Sequence, residues 1–239
     1  MKKLINGLLD FQRHSLPPYR ATFARLANGQ SPDCLFITCA DSRVVPNLLV
    51  SMDPGDLFVI RNVGNMVSPA DSQGQSMGDQ SEAAAVEYAL LHLPVVDVVV
   101  CGHSGCGAMK ALLSGSVDKR APNLGNWLDL GKSARQSLEQ GGWVGEGLSP
   151  ADRLSQLNVL QQLEHLRTYP LVKERLAAGT LRLHGWWFDI GHAQVHAYRP
   201  ARERFVPIDE QEGEKMLAEL GGNSTEKAPS MEKASSTAA

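Results

Sequence analysis

The sequence predicts an α/β protein with a mostly parallel central sheet and flanking helices, preceded by an N-terminal helical arm and closed by a C-terminal hairpin at the sheet edge. Three observations carry that prediction. Residues 34–38 (CLFIT), 57–60 (LFVI) and 95–101 are short, nearly unbroken apolar runs, the pattern of strands buried on both faces. A helical stretch at residues 81–93 lies between the second and third runs, and alternation of strand, helix and strand implies a parallel sheet. Residues 181–198 (LRLHGWWFDIGHAQVHAY) read as two strands around a turn at Gly191.

The other elements follow in chain order. Leu4, Ile5, Leu8, Leu9 and Phe11, then Phe23 and Leu26, recur at helical spacing, and Pro17-Pro18 divides them into two helices meeting at a bend. This arm takes in residues 1–30. The α/β domain spans 31–210, including a Gly- and Ser-rich stretch at 114–150. A long helical pattern at 150–178 follows, whose Leu154, Leu157, Leu160, Leu163 and Leu166 recur at threes. From residue 211 to 239 the composition turns to Glu, Lys, Ser, Gly and Ala, which predicts a disordered tail.

Composition narrows the function classes. The 23 basic and 26 acidic residues give a formal net charge of −3 without a basic stripe, which argues against nucleic-acid binding. No apolar run approaches the eighteen or so residues of a membrane span, and Asn6, Gly7 and Asp10 interrupt the opening segment too early for a signal peptide. The expectation is a cytoplasmic protein whose four cysteines are thiols or ligands, not disulfides.

Two of the predicted strands end in polar motifs. Cys39-Ala40-Asp41-Ser42-Arg43 follows the first, and His103-Ser104-Gly105-Cys106-Gly107 follows the third. Ligands of open parallel sheets gather at the carboxyl ends of strands, so two neighbouring strands would bring both motifs to one crevice. Two thiolates, an imidazole and a carboxylate suit zinc, which prefers four tetrahedral ligands. If only Cys39, His103 and Cys106 bind, the open position acidifies a bound water to a pKa of about 7 and makes hydroxide available at neutral pH. Asp41 has two mutually exclusive tasks: it fills the fourth position, or it accepts a bidentate pair from Arg43 and orients the hydroxide. Cys34 and Cys101 lack such neighbours and read as small buried hydrophobes.

CADSRV at 39–44, RNVGN at 61–65, EYA at 87–89 and GHSGCGAMK at 102–110 resemble the β-class carbonic anhydrases of plant and cyanobacterial type, over a span from about Gln12 to Tyr198. The resemblance implies one Zn2+ per subunit on Cys39, His103 and Cys106, with Asp41 a ligand only in a closed state and otherwise forming a dyad with Arg43. It implies reversible hydration of carbon dioxide to bicarbonate by zinc-bound hydroxide. Gln30 and Gly107 would contact substrate, and Phe58, Val63 and, across a dimer, Tyr88 would line an apolar pocket. A homodimer or larger homo-oligomer is implied, and a carboxysomal location with a shell or scaffold protein as partner is an expectation from the same likeness. The regulatory bicarbonate site of some members, a Trp, an Arg and a Tyr, maps onto Phe36, Arg61 and Phe188, so only the arginine is kept; with Gln30 present, this favours the constitutively open subtype. Hydrolysis of carbon disulfide or carbonyl sulfide on the same scaffold is the alternative reaction, and a non-catalytic zinc assembly module ranks below it.

Overall fold

The computed structural model describes residues 1–142, 145 and 147–222. Its centre is a six-stranded sheet in the order β2-β1-β3-β4-β5-β6. The strands β1 (Cys34–Cys39), β2 (Leu57–Asn62), β3 (Asp97–His103) and β4 (Arg182–Asp189) are parallel, and β5 (Gln194–Arg199) and β6 (Arg204–Pro207) extend the sheet antiparallel. The predicted runs are therefore strands and the predicted hairpin is β4–β5, but β6 pairs beyond β5 and forms the sheet edge in its place. The four-residue strand β6 carries too short an apolar run to be read from the sequence.

Helices complete the domain. The arm comprises α1 (Lys2–Asp10) and α2 (Leu16–Leu26), joined by a π-helical turn at Phe11–Ser15. The expected bend is thus absorbed within one nearly continuous helix: Pro17 and Pro18 sit in the first turn of α2, where their missing N–H groups cost little. After β1 come α3 (Pro46–Leu49), then α4 (Ser81–His92) between β2 and β3, and α5 (Gly107–Ser114), α6 (Pro122–Leu128), α7 (Lys132–Glu139), α8 (Pro150–Leu166) and α9 (Pro170–Ala177) between β3 and β4. The helical pattern at 150–178 is two helices because Pro170 forces Tyr169 into an extended backbone, φ −71° and ψ 128°.

One sheet face, with Leu35, Ile37, Val98, Val100 and Trp187, packs against α4, α8 and α9 through residues such as Val86, Leu90, Val159, Leu163, Leu166 and Val172. The other carries Phe36, Val99, Cys101 and Phe188 beneath Val44 and the α3 region. A third cluster, with Met66, Met109, Leu112, Leu128 and Leu154, surrounds the ends of β1 and β3.

The expectation of disorder from residue 211 is corrected for 211–222: these residues continue helix α10 (Glu210–Gly222). Asp209 caps its start by accepting the Glu212 N–H at 2.8 Å, and the buried Glu212 carboxylate pairs with Arg199 at 3.1 Å and Arg202 at 3.4 Å. The helix docks through charge, which a count of apolar residues does not register. Residues 223–239, the rest of the predicted tail, lie outside the described residues.

Candidate metal centre

Parallel pairing aligns the ends of β1 and β3, with Thr38 opposite Cys101, so Cys39 and His103 leave the sheet side by side. From β1 the chain runs on to β2 on one side, and from β3 to β4 on the other, which opens a crevice between the two strand ends. Cys106 is the N-cap of α5 and faces the same place. The ligand atoms of Cys39, His103 and Cys106 all lie within 4.8 Å of one another, and all three residues are buried.

The donor chemistry fits a metal. His103 Nδ1 lies 3.0 Å from the Ser104 carbonyl, so it is the protonated nitrogen, and Nε2 keeps a lone pair. That Nε2 is buried without a hydrogen-bond partner among the described residues, an orphan that a cation between the sulfurs would satisfy. Cys39 is held far below the ordinary thiol range, chiefly by the hydrogen bond from Cys106 and further by the N–H groups of Gly64 and Asp41, against the opposing effect of burial. Cys106 is pushed up, first by sharing its proton with Cys39 and then by burial, while the N–H groups of Ala108 and Met109 at the start of α5 act the other way. A divalent cation bound to both sulfurs replaces the shared proton. Two thiolates and one imidazole are a zinc donor set.

Asp41 stands beside this cluster in a bidentate ion pair. Arg43 donates from Nε to Oδ1 at 2.9 Å, from Nη2 to Oδ2 at 2.8 Å and from its backbone N–H to Oδ1 at 3.0 Å. These bonds, above all those of the side chain, hold the Asp41 carboxyl well below the usual carboxylate range. Its Oδ2 is 3.8 Å from His103 Nε2, too far for a hydrogen bond. Of the two tasks open to Asp41, the structure has it paired with Arg43.

The remaining expected residues distribute unevenly. Gly107 is the first residue of α5, directly after Cys106. Val63 is 44% exposed, and its carbonyl accepts the Trp127 Nε1–H at 2.7 Å. Phe58 pairs with Leu35 in the sheet, four residues before the Cys39 level, or about 13 Å along the strand. It stacks on Tyr88 with ring centroids 5.8 Å apart. Gln30 is exposed ahead of β1. The chain therefore gathers Cys39, Asp41, Arg43, His103, Cys106 and Gly107, but keeps Phe58 away from its own cluster. Phe36 and Phe188 are buried in apolar surroundings, and the Arg61 guanidinium is occupied by the carbonyls of Cys39, at 3.1 and 3.2 Å, and Asp41, at 2.7 Å.

Sequence reasoning missed the support supplied by α8. Asp152 accepts the Gly105 N–H at 2.6 Å, Ser155 donates to the His103 carbonyl at 2.9 Å, and Asn158 donates to the Gly64 carbonyl at 3.0 Å. Gln162 accepts the Val67 N–H at 2.8 Å, and His165 Nδ1 meets the Val67 carbonyl at 2.7 Å. Positions 152, 155, 158, 162 and 165 form one helical stripe. That polar stripe along a leucine-rich helix was the available signal.

A family model described as carbonic anhydrase matches residues 34–195. The chain is 44% identical over 213 residues to the carbonic anhydrase of Pseudomonas aeruginosa, covering 88% of this chain and 93% of that one. It is 41% identical over 207 residues to that of Synechocystis sp., covering 86% and 74%. Among solved structures, the β-carbonic anhydrase CcaA superposes with a TM-score of 0.79 at 40% identity, over 87% of this chain and 98% of that one. A tetrameric β-carbonic anhydrase of Sordaria macrospora gives 0.65 at 34% identity, over 82% and 93%.

Proposed function

The chain belongs to the β-class carbonic anhydrases, and from that premise we propose that it carries out the reversible hydration of carbon dioxide at a zinc ion held by Cys39, His103 and Cys106, with Asp41 and Arg43 as an orienting dyad. The observation that carries this reading is the buried, unpartnered Nε2 of His103, within 4.8 Å of two cysteine sulfurs and beside a carboxylate committed to an arginine. Zinc supplies a Lewis acid that makes water a competent nucleophile near neutral pH.

The protein groups do the rest. Asp41 stays ionised at neutral pH, so it accepts a proton-bearing oxygen as a hydrogen-bond partner and turns that oxygen's lone pair toward carbon dioxide. Arg43 fixes the carboxylate plane through two parallel bonds, which limits Asp41 to that task. The backbone N–H of Gly107, in the first turn of α5, has no helical acceptor and suits the charge that develops on bicarbonate.

The substrate pocket is completed by a second copy of the chain. Phe58 is about 13 Å of strand away from its own cluster and stacks on Tyr88 of α4, and this pair serves the partner's cluster. The arm supports this assembly: Leu4, Ile5, Leu8 and Leu9 are 43–66% exposed, and α1 buries none of its residues within the chain.

The test is stopped-flow hydration of carbon dioxide with zinc analysis. One zinc per chain and activity at both pH 7 and pH 8.5 are expected, with loss of metal in Cys106→Ser. A zinc-loaded chain inactive at both pH values refutes the reading, and activity only at the alkaline value refutes the open arrangement of Asp41.

A further inference from the structure

We propose that Asp152 is a positioning residue for the Asp41–Arg43 pair and acts on it through the peptide groups of Gly105. The inference rests on the reading of that pair as the orienting dyad. Arg43 is half exposed, and its side chain has two holds among the described residues: the Asp41 carboxylate, and the Gly105 carbonyl, which accepts from Nη2 at 3.3 Å. The second is the only one of the two that anchors the guanidinium to another segment of the chain. Gly105 adopts φ +63°, a left-handed conformation that glycine enters and leaves easily, so its carbonyl direction needs an external restraint.

Asp152 supplies that restraint with the oxygen left over from its role in the helix. At the start of α8, Ser149 and Asp152 form a reciprocal cap: the Asp152 N–H donates to Ser149 Oγ at 3.2 Å, and Ser149 Oγ donates to Asp152 Oδ2 at 2.7 Å. The cap uses one carboxylate oxygen. The other, Oδ1, reaches out of the helix and accepts the Gly105 N–H at 2.6 Å, a short charge-assisted bond. One turn further on, Ser155 Oγ donates to the His103 carbonyl at 2.9 Å and accepts the Trp187 Nε1–H at 3.2 Å. Helix α8 thus holds this loop by one polar group on each side of Ser104. The Ser155 contact bears on the segment of the metal ligand His103, and the Asp152 contact bears on the residue that steers Arg43.

The two roles of Asp152 separate in a double-mutant cycle. Wild type, Asp152→Ala, Arg43→Ala and the double variant are compared as full-length, zinc-loaded chains in the stopped-flow hydration assay. Asp152→Ala is expected to lower kcat about tenfold with zinc per chain unchanged, the usual scale for an outer-shell partner. Asp152→Asn retains an acceptor oxygen for the Gly105 N–H and is expected to recover kcat to within about twofold of wild type. In the Arg43→Ala background, Asp152→Ala is expected to cost less than about twofold, because its effect has no route left.

Equal losses in both backgrounds would show that Asp152 only caps a helix, and an undiminished kcat in Asp152→Ala overturns the inference outright. Undiminished kcat in Arg43→Ala alone overturns the dyad reading beneath it. If Asp152→Ala does not fold, Asp152→Glu keeps the charge at the helix start but displaces the oxygens. Read in the same cycle, a loss that disappears with Arg43→Ala supports the inference, and one that persists refutes it.

Discussion

Asn158 links the stability of the chain to its affinity for metal. Its Nδ2 donates to the Gly64 carbonyl at 3.0 Å and its Oδ1 accepts Gln162 Nε2 at 2.9 Å, in a residue with no solvent exposure. The N–H of Gly64 in turn donates to Cys39 Sγ at 3.4 Å. Asn158→Ala leaves a buried carbonyl and a buried amide donor without partners, each at about 1–3 kcal/mol, so a loss of roughly 2–6 kcal/mol of folding stability is expected. With a urea dependence of about 3 kcal/mol per molar for a chain of this size, the unfolding midpoint falls by about 0.7–2 M, measured at one fixed chain concentration because assembly shifts it too. Release of the Gly64 peptide also weakens the hold on the Cys39 thiolate, and zinc affinity, read by competition with a chromogenic chelator, falls about 10- to 100-fold. A midpoint shift without any change in zinc affinity refutes the coupling through Gly64, and the absence of both changes refutes the assignment of Asn158 as its anchor.

The opposite end of the sheet gives a pH prediction. Burial disfavours ionisation of Asp97, but hydrogen bonds from Arg182, at 2.7 Å to each oxygen, and from His184 at 2.7 Å outweigh it and hold the carboxyl well below its ordinary 3.8. A depressed folded-state value stabilises the protein above the unfolded value and loses that contribution as pH falls through the folded one. The stability gap between wild type and Asp97→Asn, about 2 kcal/mol at pH 6, is therefore expected to close as urea titrations move below pH 4, and a gap independent of pH refutes the assignment. Thiol chemistry gives the other prediction: burial pushes Cys34 and Cys101 up to about 12, so peptide mapping after iodoacetamide treatment at pH 8 should find both unmodified in the folded chain. Modification of either before unfolding contradicts that environment.

The strands were legible because β1 and β3 are buried on both faces, and a strand in that position must be apolar throughout. The clustered donors were legible for a related reason: each group of polar side chains comes from one short turn after a strand, so Cys39 with Asp41 and Arg43, and His103 with Cys106, appear as local motifs. What escaped was non-local or electrostatic. Helix α10 docks by the pairing of Glu212 with Arg199 and Arg202, and a segment poor in apolar residues looked unable to fold. The break before α9 turns on Pro170 within an otherwise continuous helical pattern. The contacts of Asp152, Ser155 and Asn158 span 47 to 94 residues of chain, and no motif window contains both ends.

These long contacts also explain how two loops that frame the candidate metal site, those after β2 and β3, are held in place. Loops hold position poorly by themselves, and the loops after β2 and β3 carry residues of positive φ, Gly64 at +83° and Gly105 at +63°. At Gly64 the close approach is itself a requirement, since a Cβ there would lie 3.0 Å from that of Ala108. Helix α8 resolves the conflict by presenting two faces. Leu154, Val159, Leu163 and Leu166 bury it against the domain, and the stripe from Asp152 to His165 spends its polar groups on the backbones of both loops. A mispositioned α8 would leave those buried polar groups unpaired, and a mispositioned loop would do the same, so each enforces the other. The three clustered donor atoms are therefore held in place by the packing of a helix that contributes none of them, and the energy that fixes the site is the same energy that folds the domain.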